Sequence, residues 1–211
     1  MSDAPQDLLD LSVRQFISAT AAKTPTPGGG SVAAVVGALG AALGEMALAF
    51  TRGKKKFAAH EELHAQAAAR LARARELFIQ LVSDDVEAFE LYQSAGRQAD
   101  GPQKDQAMQL AVAAAIDVPR QTAKLALAVL EDLRALADKC TKFLISDLLA
   151  GAALAEAAIR LCDYNVTINL PQAADRLAAE QIAAASRDDV QRAARLRQDV
   201  ERIGWKAAGE G

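Results

Sequence analysis

Apolar side chains recur at three- and four-residue spacing along most of this chain, and that period predicts helices almost throughout. Leu8, Leu9, Val13, Phe16 and Ile17 mark a first helix over Gln6–Ala22. A second is predicted over Ser31–Thr51, with Ser31 as its N-cap behind three glycines, Gly28, Gly29 and Gly30. Its core stretch, Val32–Phe50, is apolar on every side and carries one charge, Glu45, as expected of a central helix buried in a helical protein. Gly37, Gly40, Ala41 and Gly44 form a side-chain-poor stripe where another backbone can close in. That partner is either a neighbouring helix or the same helix of a second subunit. A long third helix is expected over Ala58–Ala95, followed by the loop Gly96–Pro102. Helices then cover Gln103–Ala137, broken or kinked at Pro119, and Lys142–Tyr164. The stretch NVTINLP interrupts the pattern, and Pro171 opens another helix leading into a final, highly charged one ending near Ala207, read as a solvated outer helix. About seven helices result, in one domain spanning residues 1–211 without repeat or linker.

Composition narrows the class further. Residues are 51% hydrophobic but only 4% aromatic, so Ala, Leu and Val must fill the core. Ala is the best helix former, and no alternating β-branched strand competes, so an all-α bundle is expected. A net charge of -3 argues against nucleic acid as partner. Val32–Phe50 is nearly long enough to cross a bilayer, but Ala and Gly contribute little transfer energy and no second span exists, so no membrane is expected. Cys140 and Cys162 lack metal-site or redox spacing, and the acidic start MSDAPQDLLDL lacks the regions of a signal peptide. Both point to the cytoplasm.

Three features invite chemistry. Gly28–Gly30 and Ser31 are not a phosphate loop, which requires Lys–Ser or Lys–Thr after its glycines, so they are a packing device or the floor of a small-molecule site. His60-Glu61-Glu62-Leu63-His64 fits the zinc-protease pattern, with two His one helical turn apart. These are the only His residues, no third ligand stands out, and a solvated helix face is the reading preferred over a zinc hydrolase; no metal is expected. The third feature is Asp85. It falls on the stripe Phe78, Leu81, Val82, Val86, Phe89 and Tyr92, while Asp84 and Glu87 turn away. A carboxylate facing a core is costly unless paired, and burial raises its pKa, which makes Asp85 a candidate general acid. Asp147 sits likewise on the next stripe. The structural alternative, that both carboxylates brace neighbouring helices, stays open on spacing alone.

PTPGGGSVAAVVGALGAALGEM with FTRGKKKF, DDVEAF at Asp84–Phe89, SD at Ser146–Asp147 and NVTINL at Asn165–Leu170 together resemble the cyclodeaminase/cyclohydrolase family of folate enzymes. The resemblance spans almost the whole chain, in order, and implies an all-helical homodimer acting on a reduced folate without cofactor. It also implies that Asp85, the residue selected by the stripe, is the proton donor. Gly28, Gly29, Gly30 and Ser31 match the family's first motif, and Ser146, Asp147, Asn165 and Asn169 match its later polar positions. Glu45 has no counterpart role. The chain departs from the family at GRQADGPQK, where LPK is usual, and at CTKFLI, where a Gly-Asn-rich turn precedes SD.

On this resemblance, the glycines admit a flat ligand to the helix start, whose N–H groups favour anions and carbonyls. Lys54, Lys55 and Lys56 then suit a folate glutamate tail, or else merely close a helix, where lysines favour the dipole. Two reactions fit. A methenyltetrahydrofolate cyclohydrolase opens 5,10-methenyltetrahydrofolate with water to 10-formyltetrahydrofolate; a formiminotetrahydrofolate cyclodeaminase closes the same ring with loss of ammonia. The absence of a fused formiminotransferase region favours the first. A helical dimerisation module that has lost its chemistry is the non-enzyme alternative.

Overall fold

A computed structural model describes residues 8–209, and among them every regular element is helical. Six α-helices follow in order: α1 Val13–Thr20, α2 Gly29–Ala49, α3 Glu61–Gly96, α4 Pro102–Leu136, α5 Ile145–Asn169 and α6 Arg176–Ala208. The all-α expectation holds; several boundaries move, each for a local reason.

The first predicted helix is shorter than its apolar pattern. Gln6 lies outside the described residues, Leu8–Asp10 is a 3-10 turn, and Ser12 with Gln15 forms a capping box that starts α1 at Val13. No residue of α1 is buried, and Val13 and Ile17 of its apolar stripe are exposed while Phe16 is half-buried. Pro119 neither breaks α4 nor ends it. The predicted interruption at NVTINLP is absent as far as Asn169, because α5 runs through it. Val166 is buried against Val112 and Ile116, while Asn165 and Asn169 send their side-chain amides back to carbonyls four residues earlier. Burial and back-bonding there outweigh modest helix propensity. The charged α6 is an outer helix as expected, burying only Ala179, Ala193, Val200 and Gly204. Ion pairs such as Arg197–Glu156 (2.7 Å) tie it to α5.

The small-residue stripe of α2 receives its neighbours within the same chain. A Cβ on Gly37 would stand 2.5 Å from the Phe78 ring, and one on Gly44 would stand 2.6 Å from Leu133. Gly40 and Gly151 face one another so closely that a Cβ on either would reach 2.9 Å from the other's carbonyl oxygen. α2 and α5 are antiparallel: Gly29 lies beside Asn165, Gly40 beside Gly151, and Thr51 Oγ1 accepts from the Thr141 N–H at 3.0 Å. The expectation that α2 is buried all round is met on one side only. Leu39 and Phe50 are 53% and 58% exposed, with half-buried Leu43 and Met46 between them on the same face. α2 is the one described helix long and apolar enough to cross a membrane, yet its glycine face is committed to packing against other helices.

The HEELH stretch corrects a second expectation. His60 ends a 3-10 turn, Lys55–His60, and only then does α3 begin. Glu61 is solvated and paired with Arg52 at 2.8 Å, but His64 is completely buried. Its Nε2 lies 2.9 Å from the Lys139 carbonyl and therefore carries the proton, leaving Nδ1 a bare lone pair with no partner. No cluster of three potential metal ligands occurs among the described residues. His64 is thus a core residue. Burial pushes its pKa below the ordinary 6.5. The unfolded chain therefore binds the extra proton first, so this contribution to stability is complete above about pH 6.5 and declines as pH falls below it. Thermal melts should show the midpoint dropping from pH 7.5 to 5.5 more steeply in wild type than in His64→Gln, which keeps a donor for Lys139 but cannot titrate. Equal slopes would refute this placement.

Candidate active site at the start of the second helix

The cleft that matters lies where four helices converge: the N-terminus of α2, the middle of α3, the middle of α4 and the C-terminal end of α5. It encloses about 320 Å³ and is lined by Gly28–Gly30, Asp85, Phe89, Tyr92, Ala115, Pro119, Asn165, Asn169 and Gln172, among others. A volume at the lower end of small-ligand sites suits a bicyclic ring rather than a whole extended ligand.

The glycines explain how a carboxylate reaches this place. Gly28, not Ser31, is the N-cap, and no side chain caps the helix. Gly29, Gly30 and Ser31 form its first turn, and their N–H groups have no partner within the helix. Without side chains, Gly29 and Gly30 let two neighbours press against that turn. A Cβ on Gly30 would fall 1.9 Å from Asp85 Oδ1, and one on Gly29 would fall 3.3 Å from Asn165 Nδ2. So the glycines make room for protein groups as much as for a ligand. Ser31, displaced from the cap, is fully buried and donates its hydroxyl to Asp85 Oδ2 at 2.7 Å. Asp85 is half-buried: it faces the cleft rather than the sealed core that its stripe suggests. With Oδ2 held by Ser31, Oδ1 is the free end of the carboxyl group.

Its surroundings separate roles among similar residues. Asp84 turns away, as expected, and lines a different groove of about 620 Å³ along α3 and α4 with Arg120 and Lys124. Cys162 is fully buried; burial, reinforced by the charge of Asp85, pushes its thiol up to about 12, so it stays a thiol and is no nucleophile at neutral pH. Tyr92 was legible only as part of an apolar stripe, but its hydroxyl donates to Gln172 Oε1 at 2.7 Å across the cleft. Neither Gln172 nor Phe89 stands out in the sequence as a site residue; only Pro119, a proline inside a long helical pattern, carried a signal.

Five expected site residues do not join this cleft. Lys54, Lys55 and Lys56 follow the far end of α2, about 30 Å from Gly28 along a helix of 21 residues. All three are exposed. Because α5 runs antiparallel to α2, Ser146 and Asp147 in its first turn also lie at that distant end, while Asn165 and Asn169 lie at the near one. Asp147 is half-buried there and does not approach Asp85. Sequence order conceals this division: the length of the helices, which spacing does not reveal, separates the motifs into two groups.

Fold and site together define an all-helical protein holding the Asp85 carboxyl group against the bare N-terminus of a core helix. Residues 12–188 match the formiminotransferase-cyclodeaminase family. The chain is 34% identical over 165 residues to the formimidoyltransferase-cyclodeaminase of Dictyostelium discoideum, covering 78% of this chain and 31% of that protein. It is 31% identical over 175 residues to the methenyltetrahydrofolate cyclohydrolase of Methylorubrum extorquens, covering 81% of this chain and 84% of that one. The crystal structure of a formiminotetrahydrofolate cyclodeaminase from Thermotoga maritima superposes with a TM-score of 0.80 at 28% identity, over 96% of this chain and 98% of the other. This chain belongs to the formiminotransferase-cyclodeaminase family, and it spans about a third of the bifunctional relatives it matches.

Proposed function

We propose that this chain is a methenyltetrahydrofolate cyclohydrolase in which Asp85 moves the proton. The observation that carries the reading is the Asp85 carboxyl group, fixed by Ser31 through one oxygen and open to the cleft through the other. Water adds to the methenyl carbon of 5,10-methenyltetrahydrofolate while Asp85 takes one of its protons, giving a tetrahedral carbon between N5 and N10. Asp85 returns that proton to N5 as the carbon–N5 bond breaks, and the hydroxyl proton leaves to solvent. The products are 10-formyltetrahydrofolate and one proton. A carboxyl group that gives and takes a proton in turn serves both halves, and no step changes an oxidation state. The free N–H groups at the start of α2, with Asn165 and Asn169, supply polar contacts for the ring system.

The 31% identity to the Methylorubrum cyclohydrolase, over 84% of that protein, favours this reaction. The match to nearly all of the Thermotoga cyclodeaminase favours a second one, in which N10 closes onto the carbon of the protonated formimino group and Asp85 moves the N10 proton to its nitrogen, which departs as ammonia. Absorbance separates them. Purified protein should bleach the methenyl chromophore of methenyltetrahydrofolate faster than buffer does. Appearance of that chromophore from formiminotetrahydrofolate instead would select the cyclodeaminase, and calorimetry showing no binding of either folate would leave a non-catalytic helical module.

The same reading includes a homodimer. The half-exposed face Leu39, Leu43, Met46 and Phe50 repeats at four, three and four residues, the spacing of a helix-pairing seam. A second copy is the occupant that makes sense of the divided motifs. A two-fold axis at the centre of that seam, between Leu43 and Met46, sets the pair antiparallel and carries Lys54–Lys56 of each protomer towards the Gly28–Ser31 end of the other, where a folate glutamate tail would need cations. Sedimentation equilibrium should give a dimer, and a monomer at micromolar concentration would remove this part of the proposal.

A further inference from the structure

Pro119 sits inside α4 yet does not end it, and what it removes is specific: the N–H that would bond the carbonyl of Ala115. That carbonyl is not left bare. Asn169 Nδ2, from α5, donates to Ala115 O at 3.2 Å and also to Asn165 O at 2.9 Å. Asn165 Nδ2 in turn donates to Leu161 O at 2.8 Å. Backbone carbonyls only accept, so both side-chain nitrogens are fixed on the helices, and both carboxamide oxygens must take the opposite branch. Both residues line the cleft, and no donor among the described residues bonds either oxygen.

We infer that Pro119 is a positioning residue: by freeing the Ala115 carbonyl it locks Asn169, so that Asn169 and Asn165 present two acceptor oxygens that select the N–H donor edge of a pterin, its 2-amino group and N3–H. The inference rests on the folate reading above and adds to it the edge that is read and the way it is read. The acceptor pair at the C-terminal end of α5 stands beside the donor N–H groups at the start of α2 on the wall of the same cleft. A ring edge that carries donors next to an acceptor is thereby oriented in one sense only. A proline that leaves an acceptor unpaired would cost stability for nothing; here the orphaned carbonyl is the anchor of a ligand-facing side chain.

The test is Pro119→Ala, read by calorimetry with tetrahydrofolate and with its 2-desamino-2-methyl analogue, which lacks one donor. The restored N–H recaptures Ala115 O within α4 and takes away one of the two carbonyls that hold Asn169, leaving it tethered to Asn165 O alone. Because an interior proline is removed from a helix, the melting midpoint should rise or hold, whereas affinity for tetrahydrofolate should fall about tenfold, the scale of one well-placed hydrogen bond. Wild type should prefer tetrahydrofolate over the analogue by about tenfold, and Pro119→Ala should lose most of that preference. Asn169→Leu, which leaves the proline in place, should lose it too. Absence of tetrahydrofolate binding in wild type would overturn the folate reading and this inference together. Binding in wild type with undiminished discrimination in Pro119→Ala, whatever Asn169→Leu does, would overturn the clamp alone.

Discussion

Asp85→Asn is expected to lower kcat by at least two decades, while Asp84→Asn stays within a few-fold of wild type. The substitution keeps shape and one hydrogen bond: the Asn carboxamide oxygen can still accept from the Ser31 hydroxyl that now donates at 2.7 Å. What disappears is the ability to take a proton and give it back. General acid–base assistance is typically worth about 10²–10⁴-fold, and both candidate folate reactions require a proton to cross the same tetrahedral centre. Tetrahydrofolate affinity should change far less, since the helix N–H groups, Asn165 and Asn169 remain in place. The neighbouring carboxylate is a strict control because it differs in direction rather than in chemistry: Asp84 lines the groove along α3 and α4, outside the cleft. Turnover assayed by methenyl absorbance decides the matter. Near-normal kcat in Asp85→Asn, or greater damage from Asp84→Asn, would refute the assignment of the proton to Asp85.

That one residue could be selected beforehand reflects what periodicity measures. A stripe registers which side of a helix faces the protein, so Asp85 announced itself by standing where Phe78, Leu81 and Val82 stand. It does not register whether the protein at that level is sealed or hollow, and Asp85 proves to face a cleft. The same limit accounts for Ser31. Ser after glycines reads as a cap, yet the helix begins at Gly29, because absent side chains let α3 and α5 close on that turn and give the Ser31 hydroxyl a carboxyl partner instead. NVTIN read as an interruption because β-branched residues and Asn are middling helix formers, whereas tertiary burial of Val166 and back-bonded amides hold the helix. The lysines stand apart from the cleft of their own protomer for a different reason: a helix of 21 residues carries its two ends about 30 Å apart. His64 lay in a pattern that suggested either metal or solvent, and it is neither, since only the chain's return at Lys139 gives its ring a buried partner.

The glycines permit a second large effect to be separated from any defect of folding. In Gly30→Ala the new methyl carbon would stand 1.9 Å from Asp85 Oδ1, 2.6 Å from its Cγ and 2.9 Å from Oδ2. The three nearest atoms all belong to the Asp85 side chain, so the carboxyl group must swing aside by an ångström or more. Doing so breaks the contact with Ser31 and displaces the only proton carrier in the proposed mechanism. Misplacement of a reacting group by about 1 Å can cost on the order of 10²-fold, so kcat should fall by about that factor. Stability should change little, because the preference for Ala over Gly, about 1 kcal/mol inside a helix and somewhat less in its first turn, offsets much of the cost of leaving the buried Ser31 hydroxyl without its partner. Gly29→Ala provides the comparison: its methyl would meet only the Asn165 amide, at 3.3 Å, a contact that a small adjustment relieves. It should cost less than about tenfold, and chiefly in affinity, by the loss of at most one hydrogen bond to the ligand. Thermal melts beside turnover assays give both readouts on the same samples. A Gly30→Ala protein that melts near the wild-type midpoint and turns over a hundredfold more slowly would tie catalysis to where α2 lets Asp85 sit. One that retains wild-type turnover would show that the close approach at Gly30 is packing alone, and the carboxyl group would need another position from which to reach the folate.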